Sequence, residues 1–574
     1  MIPRTFLHAA FSFASATVVI AAQPDAGQIL REQQSQSPRE PARRVLPNAE
    51  SAEFAKPALT ESAVSVLVNA FTFSGYEGWV SEVELQSVVN DSVGKSLGLL
   101  ELQAAVEKVN ALFRQKGFFL TRAYLPKQDV TGGTIQITVM KACSDGGITV
   151  FRAPEVRLGE NQIKGIADSF LSNAAPLREC DLERALLLMN DLPGVTARAL
   201  LSPGSKPGTT HVTVNVAERP LISGMLWADN YGNRYTGSWR GNALLSLSDP
   251  FHIGDEFDFM LSGAEGLGQG RLSYSAPFGS RGFRANVAAT GMQYKLIDGP
   301  TVLRPEGTAR TLAAGASYPL IRQRSFTLSV TGGYEFKALI DKIFFATIRD
   351  KRVHNGNLGL RGEHSDSFGG GGFTTWAVIA TIGDVDLSGN RDDALADKAG
   401  PKAAGVYTRV NLSASRYQRL TATLALYGSY YGQLASGNLD SSERFALGGP
   451  FGLRAYPVGE ASGDEGHLFS LELKKDLGLN LKWGSVQLSA FADTGYTAFY
   501  KKPWAGALQT ATGYNSYWLN DVGIGAALSK PGVYSVRLNY AHKMGGNPGR
   551  TMSGQDSDGQ KSSGKFWVIC QYLF

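Results

Sequence analysis

The sequence predicts a membrane all-β barrel of about sixteen antiparallel strands, preceded by two small α+β domains and an N-terminal helix. Three observations support this fold class. From Leu221 to Phe574, short alternating segments follow one another, separated by turns rich in Gly, Asn, Asp and Ser. The last of these segments ends on an aromatic residue, for which a soluble β-sandwich has no need. The chain also begins with an apolar stretch of the kind that directs export.

Composition narrows the class of protein. With 574 residues, the chain is too long for a single hydrophobic core. Hydrophobic residues make up 43%, yet no apolar run reaches the roughly eighteen residues of a membrane-spanning helix. Alternating strands carry apolar surface without such runs. The net charge of +5 is small, and no Lys/Arg run is interleaved with aromatics, so we expect no nucleic-acid partner.

Residues 1–22 have the features of a secretory signal peptide. Arg4 gives a positive start, Phe6–Ile20 is apolar, and two alanines precede Gln23. Cleavage is expected just before Gln23 or one residue earlier. The remainder of the chain is therefore predicted to be exported into a bacterial envelope.

Residues 23–37 predict a short polar helix, in which Asp25 caps the first turn and Gln28 reaches back in a capping box. Its few large apolar residues cannot bury a face against a dry core, so the helix suits water or a wet pore. Residues 38–62 contain four prolines and predict an extended linker. A polar helix on a long tether suits a removable plug, for which the candidate residues are Gln28, Ile29, Leu30 and Arg31.

Residues 63–141 predict a first α+β domain with the order β-α-α-β-β. A strand over Val64–Phe73 precedes a helix, whose start has a capping box between Ser81 and Glu84. A second helix has apolar residues on one face and ends at a glycine. The predicted second helix and the two strands after it are Leu99–Lys116, Phe118–Leu125 and Thr134–Met140.

Residues 142–219 repeat the same order in a second α+β domain. Short segments rich in valine alternate along one face, and two helical segments lie between the first strand and the last two. The predicted elements are Gly147–Phe151, Glu160–Ser172, Asp181–Asn190, Val195–Leu200 and Thr209–Val216.

Three cysteines are too few for a disulfide framework, and their spacing matches no zinc pattern. Cys143 and Cys180 fall in the second domain, where either a bridge or two unpaired thiols is consistent with the sequence. No HExxH motif and no GxSxG nucleophile elbow is present. We therefore expect no metal, cofactor or catalytic residue, and no enzyme.

Residues 220–574 predict the barrel. At about ten residues per strand with short turns on one side, sixteen strands fit, while fourteen and eighteen stay open. Leu420–Gln433 and Leu468–Lys474 alternate between apolar and polar residues. The final strand ends the chain with Phe566, Val568, Cys570, Tyr572 and Phe574 on one face.

The irregular stretch 444–466 interrupts two alternating segments and is rich in Gly and Pro. Arg454 stands in its middle. In the later strand, alternation points Phe491, Asp493 and Gly495 into the lumen. An unpaired carboxylate in a crowded pore is unfavourable, and an arginine fork matches it. Two interpretations stay open: Arg454 folds inward onto Asp493, or both are solvated apart.

Two motifs of the α+β domains carry a family resemblance. They are Arg122-Ala-Tyr-Leu-Pro-Lys-Gln128 and Leu187-Leu-Met-Asn-Asp-Leu-Pro-Gly-Val195. Both resemble the POTRA domains of outer-membrane polypeptide transporters, in the two-partner secretion branch. The resemblance implies that an open sheet edge accepts an extended client strand. The alternative is that the prolines only form turns. The implied client-binding region is Arg122, Tyr124, Pro126 and Gln128.

The tetrapeptide Leu453-Arg-Ala-Tyr456 resembles the inward-folded sixth extracellular loop of the same superfamily, which usually has V-R-G-Y. Leu453 and Ala455 depart from that form. The resemblance implies a loop latch, made of Arg454, Tyr456, Phe491, Asp493 and Gly495. The terminal strand resembles the signal that barrel-assembly machinery recognises, on Phe566, Val568, Tyr572 and Phe574.

The whole chain resembles the outer-membrane transporters of two-partner secretion, of the hemolysin secretion/activation type. The resemblance implies export of one large, unfolded, β-rich exoprotein from periplasm to cell surface, bound through its N-terminal secretion domain. It also implies contacts with outer-membrane lipid and, during biogenesis, with barrel-assembly machinery and periplasmic chaperones. The alternatives are a barrel-assembly factor of the same superfamily and a passive porin or receptor.

Overall fold

A computed structural model describes residues 24–35, 65–141, 143–171, 177–206, 208–299, 303–479 and 481–574. The predicted signal peptide (1–22) and the whole of the predicted linker (38–62) lie outside the described residues. No helix in these ranges has the length and apolar character needed to cross a membrane. The chain divides into two compact units, one holding the N-terminal helix with the barrel and the other holding the two α+β domains.

The first α+β domain is built on a three-stranded sheet with the order β2-β5-β4, in which β2 and β5 run parallel. The capping box predicted at Ser81 is present, since the Ser81 hydroxyl accepts from the Glu84 N–H and the Glu84 carboxylate accepts from the Ser81 N–H. The elements are β1 (Ser65–Leu67), β2 (Ala70–Ser74), α2 (Glu82–Val89), β3 (Ser96–Gly98), α3 (Leu99–Gln115), β4 (Arg122–Tyr124) and β5 (Thr134–Met140). The N-terminal helix of the other unit is α1 (Ala26–Ser35).

The strand predicted over Phe118–Leu125 is much shorter, because its first residues cap helix α3 instead. The N–H of Phe118 donates to the carbonyl of Phe113 at 2.9 Å, and Gly117 has a φ of +86°. The Phe118 ring stacks on Trp79 with centroids 4.6 Å apart. Only Arg122–Tyr124 remain free to pair with β5. The single strand predicted from Val64 likewise divides into β1 and β2.

The second α+β domain repeats the arrangement, with sheet order β6-β8-β7 and β6 parallel to β8. Its elements are β6 (Cys143–Arg152), α4 (Glu160–Phe170), α5 (Glu179–Asn190), β7 (Val195–Pro203) and β8 (Thr209–Glu218). The predicted β-α-α-β-β order is therefore confirmed for this domain, whereas in the first domain the short strand β3, paired with β1, lies between the two helices. Cys143 and Cys180 are both free in the structure, which favours the alternative of two unpaired thiols.

Sixteen antiparallel strands close into a barrel, which confirms the middle of the three predicted counts. The strands are β9 (Ile222–Asp229), β10 (Arg240–Ser248), β11 (Glu256–Ala264), β12 (Leu267–Phe278), β13 (Phe283–Lys295), β14 (Pro305–Arg322), β15 (Phe326–Ile343), β16 (Ala346–Asp366), β17 (Gly372–Asp386), β18 (Gly405–Arg419), β19 (Leu424–Ala435), β20 (Glu465–Asp476), β21 (Ser485–Ala498), β22 (Ser516–Lys530), β23 (Tyr534–Met544) and β24 (Gly564–Leu573). A further helix, α6 (Arg391–Ala399), lies between β17 and β18.

The start of β19 departs from the prediction, because the segment 420–423 turns instead of extending. The N–H groups of Leu420 and Thr421 both donate to the carbonyl of Leu424, and the Thr421 hydroxyl accepts from the Leu424 N–H. A side chain that bonds its own backbone two or three residues on favours a turn over a strand. Alternation of residue type alone did not reveal this.

Candidate functional site

Strand β21 delivers the lumen-facing side of the site. Phe491 and Asp493 are only 5% and 2% exposed, as the alternation of side chains along the strand predicted for residues that point into the lumen. Asp493 lies opposite Ser470 on β20 and opposite Asp521 on β22. Three neighbouring strands thus present polar oxygens to one point inside the barrel.

The long segment between β19 and β20 folds inward and brings Arg454 to that point. The guanidinium donates two bonds to Asp493, from Nε to Oδ2 at 2.8 Å and from Nη2 to Oδ1 at 2.9 Å. It also donates to the Ser470 hydroxyl at 3.1 Å and to Glu472 at 3.3 Å. Its carbon lies 3.3 Å from the centroid of the Phe491 ring. A bidentate, stacked arginine is a geometry that lysine does not reproduce.

The two departures from the usual loop form have structural explanations. Ala455 is fully buried and does not adopt a positive φ, so no glycine is needed there. Its N–H donates to Asp521 Oδ2 at 2.9 Å. Leu453 is also fully buried, and a Cβ added at Gly495 would lie 3.3 Å from a Leu453 methyl carbon. Gly495 therefore gives the larger leucine its space.

The loop also contacts the last strand of the barrel. The indole N–H of Trp567 on β24 donates to the carbonyl of Arg454 at 2.6 Å. Tyr231, which follows β9, packs edge-to-face on Trp567 with centroids 5.8 Å apart. Since β24 and β9 close the barrel, the backbone of the loop tip is connected to the closing strands. The sequence analysis did not identify Trp567 and Asp521. The alternation of side chains along β24 and β22, which points both residues into the lumen, could have indicated them.

A second set of contacts joins the inward loop to the segment between β23 and β24. The buried carboxylate of Glu460 accepts from Asn547 Nδ2 at 2.8 Å and from the Ser557 N–H at 2.7 Å. Burial raises the pKa of Glu460, although the bond from Ser557 opposes the rise and the nearby Asp556 adds to it. Asp556 is ion-paired with Lys543, whose ammonium lies over the Tyr456 ring. Tyr456 is fully buried in this region.

Helix α1 lies inside the barrel, and the expectation about its packing was wrong. Ile29 and Leu30 are fully buried in a cluster with Tyr294, Leu339 and other inward residues of the wall. The sequence predicted a wet pore because only two large apolar residues were available. The barrel wall itself supplies the missing apolar surface, so a short polar helix has a dry face.

Charged and polar side chains fix the N-terminal end of α1 to the barrel wall and the inward loop. Asp25 caps the helix by accepting from the Gln28 N–H at 2.9 Å, as predicted. The Gln28 amide turns to Glu32 instead of reaching back to the cap. Asp25 also contacts Lys351 at 3.3 Å and accepts from the Ser441 hydroxyl at 2.8 Å. The sequence predicted the capping role of Asp25 but not its contacts with Lys351 and Ser441.

Along its length, α1 has further partners on the wall and the inward loop. The Arg31 guanidinium donates to the carbonyl of Arg444 at 3.3 Å, and Gln33 accepts from Arg240 at 3.0 Å. Gly27 lies so close to the loop that an added Cβ would be 2.8 Å from the Ser441 oxygen. Helix and loop therefore occupy the lumen in contact with each other.

Two buried ion-pair groups line the same lumen. Arg240 pairs with Asp229 at 2.8 Å, and Glu443 of the loop accepts from Lys337 at 2.7 Å and from Arg409 at 2.9 Å. Isolated buried charges are strongly unfavourable, and Arg240, Lys337 and Arg409 each have a carboxylate partner. Among the described residues, no group of three or more side chains has the arrangement of a metal site.

The candidate client-binding residues lie at an edge of the first domain's sheet. Arg122 and Tyr124 belong to β4, which pairs only with β5, and both are exposed. Gln128 is occupied within the domain, because its amide exchanges two hydrogen bonds with the backbone of Gln136 on β5. That contact favours the structural interpretation for Gln128. Pro126, which lies between Tyr124 and Gln128, is half-buried.

Three aromatic residues of the last strand share one face, as alternation predicted, and that face points outward. Phe566, Tyr572 and Phe574 are each about half exposed, whereas Trp567 between them is buried. The backbone of Phe574 exchanges two hydrogen bonds with Gly224 on β9. A Cβ at Gly224 would lie 2.3 Å from the Phe574 ring. The terminal aromatic thus lies on the seam where the barrel closes.

Comparison with known proteins places this architecture in a family. The model for the haemolysin secretion/activation protein ShlB/FhaC/HecB matches residues 208–514, more than half of the chain. The chain belongs to this family. A ShlB-type POTRA model also matches residues 66–142. The family is one of transporters: outer-membrane barrels with periplasmic POTRA domains, which export exoproteins by two-partner secretion.

Individual relatives agree with the family match. The chain is 28% identical to the heme/hemopexin transporter protein HuxB of Haemophilus influenzae over 470 residues, 81% of each chain. It is 25% identical to the outer membrane transporter CdiB of Escherichia coli, over 73% of this chain and 70% of the relative. The solved structure of CdiB from Escherichia coli shares the fold, with a TM-score of 0.69, 19% identity, and coverage of 99% and 98%.

Proposed function

We propose that the barrel conducts one large, unfolded exoprotein, and that α1 and the inward loop are the two elements that keep the conduit closed at rest. One observation carries the proposal. The lumen of a closed sixteen-strand barrel is filled by a ten-residue helix and a loop, and neither of them is part of the wall. Barrels of this size otherwise leave an aqueous channel.

The proposal assigns the two closing elements different roles. Helix α1 is connected to the wall by polar contacts such as Asp25–Lys351 and Gln33–Arg240, which are replaceable by water. The loop is held by the bidentate pair of Arg454 and Asp493, buried on all sides. The helix is therefore the removable plug, and the loop latch holds the pore wall together.

Residues 63–141 and 142–219 are the receiving domains in this proposal. The edge strand β4, with exposed Arg122 and Tyr124, offers unpaired backbone groups to an extended segment of the client. Pairing along such an edge is indifferent to most side chains, which suits a client that is still unfolded. No energy source beyond folding of the client at the cell surface is required.

Single-channel conductance in planar bilayers tests the plug. Deleting residues 26–34 removes the helix that fills the lumen, so conductance is expected to rise severalfold over the full-length protein. Heat-dependent mobility in gels verifies that the barrel is still folded. Unchanged conductance of a folded deletion variant would rule out α1 as the plug.

A further inference from the structure

The outward face of strands β11 to β15 carries a concave groove that conduction does not explain. Its volume is about 660 Å³, within the roughly 300–1,000 Å³ typical of ligand sites. Its walls are the outward rings and branched chains of Phe259, Leu272, Leu312 and Phe336. Its floor is formed by small residues, which leave the space between those larger side chains open. They are Gly270, Ala289, Gly291 and Ala338.

One cation lies at this groove. Ala309 and Thr311 on β14 point into the lumen and are buried, so Arg310 between them points outward and is exposed. No acidic side chain pairs with Arg310 among the described residues. In register, Arg310 lies between Gly291 on β13 and Ala338 on β15. An outward arginine beside an apolar groove, with no acidic partner in the described part of the chain, is free to bind an external anion.

A second arginine lies in the same row. Ala338 pairs with Arg352 on β16, so Arg310 and Arg352 lie two strands apart, with about 10 Å between their Cα atoms. Arg352 has Asp386 opposite it on β17. Further out, Glu306 has Lys295 and Lys342 in register on either side. The outward charges above the groove are therefore predominantly positive.

The groove lies in the outer half of the barrel wall. Strand β9 starts directly after the periplasmic second domain, so β9 runs outward and β14 runs back inward from Pro305. Arg310 is thus close to the outer end of β14. One step towards the periplasm, the outward residues in register across β11 to β15 are all apolar. One step towards the cell surface, the outward residues of β13 and β14 are the polar Gln293 and Thr308. Arg310 marks the level at which the outward face changes from apolar to polar.

We propose that this groove binds lipopolysaccharide of the outer leaflet, with the acyl chains of lipid A along Phe259–Phe336 and a lipid A phosphate on Arg310. One feature favours this lipid over a glycerophospholipid. The groove spans five strands, about 20 Å, which is wider than a two-chain lipid needs. A guanidinium fork matches a phosphate with two parallel hydrogen bonds. The site is separate from the lumen, the plug and the loop latch.

Binding to purified full-length protein in detergent, followed by native mass spectrometry, tests the proposal. The probes are diphosphorylated lipid A, lipid A lacking one phosphate, and phosphatidylglycerol. Diphosphorylated lipid A is expected to bind most tightly. Arg310→Ala is expected to raise its Kd about tenfold, the loss of one charge-assisted contact. Arg310→Lys keeps the charge but not the fork, so its Kd should fall in between.

A second variant fills the groove without touching the charge. A Cβ at Gly291 would meet no atom within 4 Å, so Gly291→Leu fits the fold while occupying the floor. It is expected to weaken lipid A binding by a similar factor. Lys502→Ala is the matched control, because it removes an exposed cation from the loop after β21 that does not line the groove. Its Kd should not change.

Three results would overturn the proposal. The first is an unchanged Kd in both Arg310→Ala and Gly291→Leu. The second is an equal loss in Lys502→Ala, which would mean that rim charge in general attracts the lipid. The third is phosphatidylglycerol binding as tightly as diphosphorylated lipid A, which would assign the groove to ordinary phospholipid.

Discussion

The guanidinium of Arg454 has all its strong partners inside the protein: Asp493, Ser470 and Glu472 accept from it, and Phe491 stacks on it. Both charges of the Arg454–Asp493 pair are buried. A buried pair of this kind adds little net stability over an apolar replacement, but breaking it leaves one charge without compensation. At the scale of single residues, the pair therefore specifies the inward position of the loop.

Removing either partner is expected to be severe. Arg454→Ala and Asp493→Ala should each lower the free energy of unfolding by about 3–5 kcal/mol and sharply reduce secretion of the cognate exoprotein, with some barrel still inserted. Urea unfolding and the amount of exoprotein in the medium measure the two effects. Arg454→Lys keeps the charge and is the control for loss of the fork. If the losses simply add in the double variant, the two residues are not coupled.

At the scale of elements, α1 and the inward loop depend on each other. The helix approaches the loop so closely at Gly27 that no side chain fits, and Asp25 reaches Lys351 and Ser441. The loop in turn is joined to the segment before β24 through Glu460. A change in one of these elements is therefore transmitted to the next by direct contact.

Gly27→Leu tests that dependence without deleting the helix. The new side chain would overlap the Ser441 oxygen and the Ser442 backbone, so the helix should leave the lumen more often. Single-channel recordings are expected to show more frequent open events than the full-length protein. Gln34→Ala, which removes only a 3.3 Å contact with Glu335, is the control and should behave like the parent. Equal open frequencies for both variants would contradict the packing at Gly27.

The contact of Glu460 predicts a pH dependence of the loop. Because the pKa of Glu460 is raised in the folded protein, its stabilising contribution is complete below the ordinary glutamate pKa of about 4.3 and is lost as the pH rises through the raised value. Hydrogen exchange at residues 545–563 should therefore be faster at a pH above the raised pKa of Glu460 than at a pH below it. The comparison is made after correction for the intrinsic effect of pH on the exchange rate. Glu460→Gln should flatten the dependence. A dependence unchanged in Glu460→Gln would assign it elsewhere.

At the scale of the whole molecule, closure of the barrel depends on a short seam. Strands β24 and β9 pair over Ile569–Leu573 and Met225–Asp229, far fewer residues than the pairing of β15 with β16. Phe574 and Gly224 extend the seam by two backbone hydrogen bonds. The terminal aromatic has its place only because Gly224 lacks a side chain.

Gly224→Val is therefore expected to weaken closure. The added side chain would meet both the Phe574 ring and the carbonyl of Leu244, at a cost of about 1–3 kcal/mol. The temperature at which the folded band is lost in heat-dependent gel mobility should fall by several degrees. Gly241→Val, at an open position of β10, is the control. The same fall in both variants would show a general loss of strand propensity.

The sequence by itself determined the classes of elements and their order. Alternation with period two placed Phe491 and Asp493 on an inward face, because successive side chains on a strand point to opposite sides. Capping residues located the start of α2 and of α1, because their hydrogen bonds are local. The same local rules gave the repeated β-α-α-β-β order and a barrel in the range of sixteen strands.

Only the tertiary structure decided which distant residues meet. Whether Arg454 turns inward depends on Asp493, Asp521 and Trp567, which lie 39 to 113 positions away along the chain. The dry face of α1 depends on apolar residues contributed by the wall, so the helix's own composition could not reveal it. Likewise, the outward groove beside Arg310 arises from the register of five strands. Local propensity contains no information about such long-range packing, and it is there that the function of this protein is set.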